Sequence, residues 1–308
     1  MRAVVVGAGV VGLTTAVRLR EAGIDATVVA REEPRDTTSA VAAALWYPYR
    51  ALPAERVTAW SAQTYSVLAA LAEMPGSGVR MLAGTERLAP DAPDPWWREA
   101  VPSLERTREG LRFVAPAVDM SIHLPWLAGR LHALGGAVER REVASLDDLD
   151  ADADAVVNCA GLGARELAGD DSLVAVRGQI VRVAAPAVGE WLLDQSDPQR
   201  LAYVVPRVND VVLGGTAEEG AEDRTPDPAT TDAIRARCAA LIPALRDAPV
   251  VGVAVGLRPA RPAVRLEAEG RVVHCYGHGG AGVTLAWGCA GEVAALLGSG
   301  GRRYAAGR

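Results

Sequence analysis

The 308-residue chain has no lysine, so all 32 of its basic residues are arginine. Without lysine there is no amine to form a Schiff base with a carbonyl and no Walker-type phosphate lysine, which removes several enzyme classes at once. Cysteine and histidine are scarce and scattered. Cys159, Cys238, Cys275 and Cys289 form no CxxC pair, and of His123, His132, His274 and His278 only the last two stand close, four residues apart with no third ligand in a zinc-type spacing. No spacing reads as a metal site, so no metal is expected, and the cysteines read as reduced and mostly buried. No apolar run approaches the length of a membrane span, and the apolar start Ala3 to Val6 is far too short for the core of a signal peptide. A cytoplasmic protein is therefore expected. With a net charge of -6 and a pI near 5.4, the chain lacks the basic balance of proteins that bind nucleic acid or anionic membranes. Its expected partners are small molecules, and its length allows two domains around a sizeable core.

What is present begins at once. The apolar run Ala3-Val4-Val5-Val6 leads into Gly7-Ala8-Gly9-Val10-Val11-Gly12, then a helical pattern through Ala16, Leu19 and Gly23, then a second strand ending in Arg31-Glu32. A buried strand delivers the chain to a turn that Gly7 permits. Gly9 lets backbone approach a pyrophosphate, and Gly12 lets helix and strand pack closely. The helix N-terminus offers free N–H groups and the positive end of its dipole to phosphates. Glu32, about 20 residues on, is placed to accept hydrogen bonds from a ribose. This order of elements predicts dinucleotide binding. The glycines alone leave NAD, NADP and FAD open, and Arg31 could instead receive a 2′-phosphate.

Further along, Asp36 to Ala44 is a row of small residues, suited either to backbone lying against a flat ligand or to an alanine-rich helix start capped by Thr38 or Ser39. Residues 54 to 75 show helical periodicity through Val57, Trp60, Tyr65, Leu68 and Leu71. A Pro-, Asp- and Arg-rich stretch from Gly76 to about Val118 reads as an inserted second domain with short strands such as Val79 to Leu82. A helix is expected from Leu124-Pro125 to Leu134, stopped by Gly135-Gly136. Ala155 to Asn158 reads as a buried strand entering the turn Cys159-Ala160-Gly161-Leu162-Gly163. Val174 to Val183 reads as a strand bent at Gly178, and residues 203 to 216 as a hairpin turning at Asn209-Asp210. A helix over 228 to 245 and a strand over 250 to 257 follow. Val272 to Tyr276 then enters Gly277-His278-Gly279-Gly280-Ala281-Gly282 and a last helix from Val283 to Leu297.

These strings, together with Leu45-Trp46-Tyr47-Pro48-Tyr49, Val176-Arg177-Gly178-Gln179 and Gly256-Leu257-Arg258-Pro259-Ala260-Arg261-Pro262, resemble the FAD-dependent D-amino acid oxidase family, in the family's own order over nearly the whole chain. The resemblance implies an α/β fold in which a Rossmann-like FAD-binding domain (1–50, 128–183 and 252–308) interleaves with a substrate domain (51–127 and 184–251) built on a mostly antiparallel sheet. It implies FAD as cofactor and allows a homodimer. The implied reaction is oxidative deamination of a D-amino acid by hydride transfer to FAD, with O2 reduced to hydrogen peroxide. FAD contacts are expected from Gly7, Gly9, Val10, Val11, Gly12, Arg31 and Glu32, then from Thr37, Thr38, Ser39, Ala43, Ala44 and Leu45. Val143, Cys159 and Gly161 follow, and then Arg258, Gly279, Gly280, Gly282, Val283 and Thr284.

The resemblance places Arg258 on the substrate carboxylate, where a planar guanidinium binds bidentately and keeps its charge. Tyr203 joins it, and the carbonyl of Gly280 accepts from the amino group. Arg261 and Arg265 read as structural. Orientation rather than a general base carries the reaction in this family. Leu45, Tyr47 and Val205 are expected to form an apolar side-chain pocket, with Tyr47 replacing a glutamine of animal members. The lid segment Asp197-Pro198-Gln199-Arg200 reads as shortened and lacks a second lid tyrosine. Members specialised for D-aspartate carry an arginine after the Gly-Gly-Thr of the hairpin, whereas Gly214-Gly215-Thr216 is followed here by Ala217-Glu218-Glu219. Negative charge there would oppose an acidic substrate, so neutral or apolar D-amino acids are expected. His278 is expected to position backbone beside the flavin rather than to anchor it covalently. The C-terminal Tyr304 to Arg308 is no peroxisomal address. The rival readings are a related flavin amine oxidase acting on D-aspartate, glycine or sarcosine, an NADP-dependent dehydrogenase, and a flavin-binding sensory or structural protein.

Overall fold

A computed structural model describes every residue except 90, 150, 152, 186, 198, 199 and 305–308, and the side chains of all residues up to 298 outside those positions. The N-terminal apolar run becomes β1 (Arg2–Val6), whose valines are all buried, followed by α1 (Val10–Glu21) and β2 (Asp25–Ala30). β1 pairs in parallel with β2, as the strand–helix–strand pattern predicts. The small-residue row gives only a one-turn helix, α2 (Thr38–Val41), before the chain becomes extended. The periodic segment forms α3 (Ala54–Ala72) and buries the predicted Val57, Trp60, Tyr65, Leu68 and Leu71.

β3 (Val79–Arg87), β4 (Glu105–Arg106) and β5 (Gly110–Val118) are antiparallel neighbours. α4 (Met120–Ala133) starts four residues before the expected Leu124, because the Asp119 side chain accepts from Ser121 N–H and caps the helix there. Pro125 had marked the first turn in the sequence; it lies inside the helix instead. After β6 (Val138–Arg140) and β7 (Ala155–Asn158), a short α5 (Ala164–Leu167) leads to β8 (Val174–Val183). β8 pairs continuously through Gly178, so the expected bend there does not exist.

β9 (Trp191–Asp194), β10 (Ala202–Pro206), β11 (Val211–Gly214) and β12 (Glu218–Glu219) continue the antiparallel part, and α6 (Pro228–Leu241) covers one face. The strand expected over 250–257 is far longer. β13 (Val250–Glu269) runs through Pro259 and Pro262. Val250 to Ala260 pair with β8, and Ala260 to Glu269 pair with β14 (Val272–His278), with irregular register between Ala260 and Arg265. Prolines that cannot donate to a ladder are tolerated where pairing is handed from one neighbour to another. α7 (Gly282–Tyr304) closes the chain.

All fourteen strands among the described residues belong to one sheet. One end, β14-β7-β1-β2-β6, is parallel and covered by α1, α4 and α7; the other, from β4 to β8, is mostly antiparallel. Among the described residues, no helix is long and apolar enough to cross a membrane.

Two buried histidines make stability depend on pH. His123 donates from Nδ1 to the Ser77 carbonyl at 2.8 Å. Burial pushes its pKa down to about 4, and does the same for His278. The folded chain therefore refuses protons that the unfolded chain accepts below about pH 6.5, and stability falls as pH drops from there towards 4. Over pH 6.5 to 5 each histidine contributes roughly 2 kcal/mol of this loss. Denaturant unfolding of His123→Gln, which keeps a donor for Ser77, is expected to show a shallower slope of stability against pH over this range than the parent.

Candidate active site

A cavity of about 630 Å³ runs along the junction of the parallel and antiparallel parts, within the size range of small-molecule sites. At one end it is lined by the β1–α1 turn. Gly7 has φ +111°, and a Cβ on it would overlap the Cys159 carbonyl; a Cβ on Gly12 would overlap the Gly7 carbonyl. Gly7 and Gly12 thus allow the close backbone approach that a pyrophosphate turn needs. The Ser39 hydroxyl accepts from Val10 N–H at 3.0 Å, leaving the following N–H groups of the first turn for a ligand.

The cavity brings together residues distant in sequence: Glu32 and Val143, Thr37 to Ser39, Cys159 and Gly161, and Gly279, Gly280, Gly282 and Val283. Of the residues expected to touch cofactor, only Gly12 and Thr284 do not line it. Gly12 acts through helix–strand packing. The Thr284 hydroxyl is spent on Tyr47, accepting from its N–H and donating to its carbonyl, both at 3.0 Å. Arg31 lines the cavity with a side chain 68% exposed, an edge position rather than a buried phosphate partner. The small side chains and glycine backbone leave room for a dinucleotide, and the residues present fit FAD.

At the other end of the cavity stand Arg258, Tyr203 and Gly280. Arg258 Nη1 donates to the Thr216 carbonyl at 3.0 Å, which fixes the guanidinium and leaves its other donors for a ligand. A Cβ on Gly178 would overlap that guanidinium, so glycine in mid-strand makes room for the arginine. Gly214 and Gly215 do the same for the Tyr203 ring. Burial raises the pKa of Tyr203 despite the opposing pull of Arg258, so its hydroxyl stays protonated as a donor. Tyr49 packs against Gly280 and also lines the cavity. Arg261 pairs with Asp170 at 2.8 Å, and Arg265 reaches the Tyr276 hydroxyl at 2.9 Å; both are structural, as expected.

Leu45, Tyr47 and Val205 line the same end, but the wall is not purely apolar. The Tyr47 hydroxyl donates to Glu86 Oε1 at 2.6 Å, and Gln195 Nε2 donates to both, each at 2.7 Å. Burial, then the Glu86 charge, pushes the Tyr47 pKa far up. Edge-on packing of Tyr47 against Trp97, centroids 5.4 Å apart, holds the ring. The acids expected to repel a second carboxylate stand elsewhere. Glu218 pairs with Arg177 at 2.8 Å, and neither Glu218 nor Glu219 lines the cavity. Glu86 is the acid behind the pocket wall, and no sequence pattern marks it.

Cys275, His278 and Cys289, scattered in sequence, lie with their ligand atoms within 4.8 Å of one another. Against the lowering effect of its hydrogen bond with Cys159, the contact with Cys289 and then burial raise the Cys275 thiol pKa, and burial keeps the His278 ring neutral. Pro198 and Gln199 of the expected short lid, and residues 305–308 of the C-terminal tail, lie outside the described residues.

Residues 2–296 match the DAO family, described as FAD dependent oxidoreductase. A D-amino-acid oxidase of Rubrobacter xylanophilus is 54% identical, covering 97% of this chain and 96% of its own. One of Streptomyces coelicolor is 48% identical, covering 95% of each. A human D-aspartate oxidase is 36% identical, covering 96% of this chain and 94% of its own. Among solved structures, glycine oxidase from Geobacillus kaustophilus superposes with a TM-score of 0.79 at 20% identity, covering 97% of this chain and 95% of that one, a likeness of fold.

Gly12→Ala forces a methyl into the Gly7 carbonyl, an overpacking cost of about 1–3 kcal/mol. FAD titration followed by fluorescence quenching is expected to show affinity at least about tenfold weaker than in the parent.

Proposed function

Since the chain belongs to the DAO family of FAD-dependent oxidoreductases, we propose that it oxidises neutral D-amino acids to imino acids, which water converts to 2-oxo acids, with O2 reduced to H2O2. The observation that carries this reading is the meeting of Arg258, Tyr203 and Gly280 at the end of a cavity whose other end is a dinucleotide turn. Relatives named D-amino-acid oxidase at about half identity support it.

Gly7, Gly9 and the first turn of α1 would hold the FAD pyrophosphate, Glu32 a ribose, and the Gly279–Val283 turn with Ala43 to Leu45 the ring system. Bound FAD supplies the acceptor for the electron pair of the substrate α-C–H bond. The chain's own residues supply position. Arg258 takes the substrate carboxylate through its fork, and the protonated Tyr203 hydroxyl adds a donor. The Gly280 carbonyl accepts from the amino group. Fixing two substituents of a chiral carbon fixes the third, so the α-hydrogen of only one enantiomer faces the ring system. No side chain is needed as a general base. The apolar wall of Leu45 and Val205 excludes water from the reacting carbon.

The interleaved division into an FAD half (1–50, 128–183, 252–308) and a substrate half is part of this reading. So are a homodimer and a cytoplasmic location; the four free, buried cysteines fit a reducing compartment.

The deciding experiment is an anaerobic absorbance spectrum of the purified protein before and after D-methionine, with L-methionine as control. Bleaching of the flavin bands by the D-isomer alone is expected. Bands that no D-amino acid bleaches would point to the sensory or structural alternative, and peroxide release from glycine, sarcosine or D-aspartate in preference to D-methionine would point to a related amine oxidase. Arg258→Leu removes the charged partner of the carboxylate and is expected to lower kcat/KM by roughly 1,000-fold. Gly178→Ala, which only displaces that guanidinium, is expected to raise KM more than it lowers kcat in steady-state peroxide assays.

A further inference from the structure

Glu86 is 2% exposed, on β3 between Leu111 of β5 and Leu193 of β9. Its Oε1 accepts from Tyr47 and Gln195, while Oε2 is buried with no partner. No cation is among the groups acting on it, and burial raises its pKa against the pull of those two hydrogen bonds. The other buried acids are treated differently. Asp210 is matched by Arg207 and Arg182, Asp170 by Arg261, and Asp119 caps α4 and accepts from Asn209. A carboxyl placed only to hold Tyr47 would need no charge, because a glutamine would accept the same two bonds. A buried carboxyl without a cation is held towards its neutral form, and a cationic group brought near it would favour the charged form.

Glu86 itself lines neither of the two cavities described, but both of its partners do. Tyr47 and Gln195 line the main cavity and a second one of about 270 Å³ that adjoins it, with Trp96, Trp97 and Leu201. The carboxyl lies one hydrogen bond behind the wall that a substrate side chain meets. We propose that Glu86 sets side-chain specificity at this end of the pocket, favouring a side chain with a cationic or hydrogen-bond-donating tip over an apolar one of the same length. This rests on the oxidase reading above. Other charged groups around this region are Arg87, held by Asp194 at 3.9 Å, and at the rim of the second cavity Asp197 and Arg50, the latter over the Tyr49 ring at 5.5 Å. Arg50 is the group that would favour an acidic tip instead.

The test compares D-lysine with D-norleucine, which is D-lysine without its terminal ammonium. In Glu86→Gln the ratio of their kcat/KM values is expected to fall about tenfold. In the parent the ratio is expected to rise as pH increases above the ordinary carboxylate range and Glu86 ionises, while the lysine side-chain ammonium stays charged, and to be flat in the variant. A structural role would not move that profile, and the parent's profile decides the matter even if the variant fails to fold. Calorimetric binding of 6-aminohexanoate against hexanoate repeats the comparison without turnover. If D-norleucine and D-methionine are not oxidised, it is the oxidase reading that fails; a preference for 6-aminohexanoate over hexanoate that Glu86→Gln abolishes would still place a cationic tip beside Glu86. An unchanged ratio in Glu86→Gln, a pH-independent ratio in the parent, or a preference for D-glutamate over D-glutamine overturns it.

Discussion

The site depends on one hydrogen-bond ladder that changes partner. β13 pairs with β8 up to Ala260 and with β14 beyond it, so a single strand belongs to the antiparallel sheet at one end and joins the parallel sheet at the other. Arg258 lies just before the change. Gly279 and Gly280 lie just past β14, and Gly279 N–H donates to the Pro259 carbonyl at 2.8 Å. The Arg258 guanidinium and the glycine turn on the cavity wall are therefore adjacent because one ladder fixes both. Glycines guard the arrangement from either side: Gly178 opposite Arg258, and Gly7 against the carbonyl of Cys159.

The dinucleotide end was legible because its information is local. Turn, helix and second strand are consecutive, and each glycine answers a steric demand within a few residues or from a single crossing strand. The end of the cavity with Arg258 and Tyr203 was reached only through resemblance. Arg258 and Tyr203 sit in strands whose sequences would serve any sheet, and what makes them a pair is the register of β13, β8, β11 and β10. The fold errors share that origin. Pro259 and Pro262 disguised the second half of β13, since proline argues against a strand unless the ladder is interrupted. Gly178 looked like a bend because the residue that fills the space above it is 80 positions away.

Glu86 shows the limit most clearly. Its neighbours in sequence give no hint of a site, and its two partners come from segments 39 and 109 residues away. Only assembly shows that it is buried, half-satisfied and without a cation. Tyr47 illustrates the companion effect. Its position in the pocket was readable, but the hydroxyl that turns an apolar wall into a polar one was not, because its acceptor is supplied by β3.

The electrostatics of the two ends of the substrate pocket then form one design. At the near end Arg258 is fixed and permanently charged, and the Tyr203 hydroxyl beside it is kept protonated by burial. In the reading proposed above, a ligand there brings its carboxylate. At the far end the Glu86 carboxyl is buried without a partner for one oxygen, and the tyrosine in front of it is likewise held neutral. A ligand reaching that end gains by bringing a positive group or a donor, and loses by bringing a second carboxylate, since unpaired like charges at low dielectric are costly. In the reading proposed above, a small apolar side chain lies against Leu45 and Val205. Breadth towards neutral substrates and discrimination among charged ones can thus coexist, because the group that discriminates is set back behind the wall rather than placed on it.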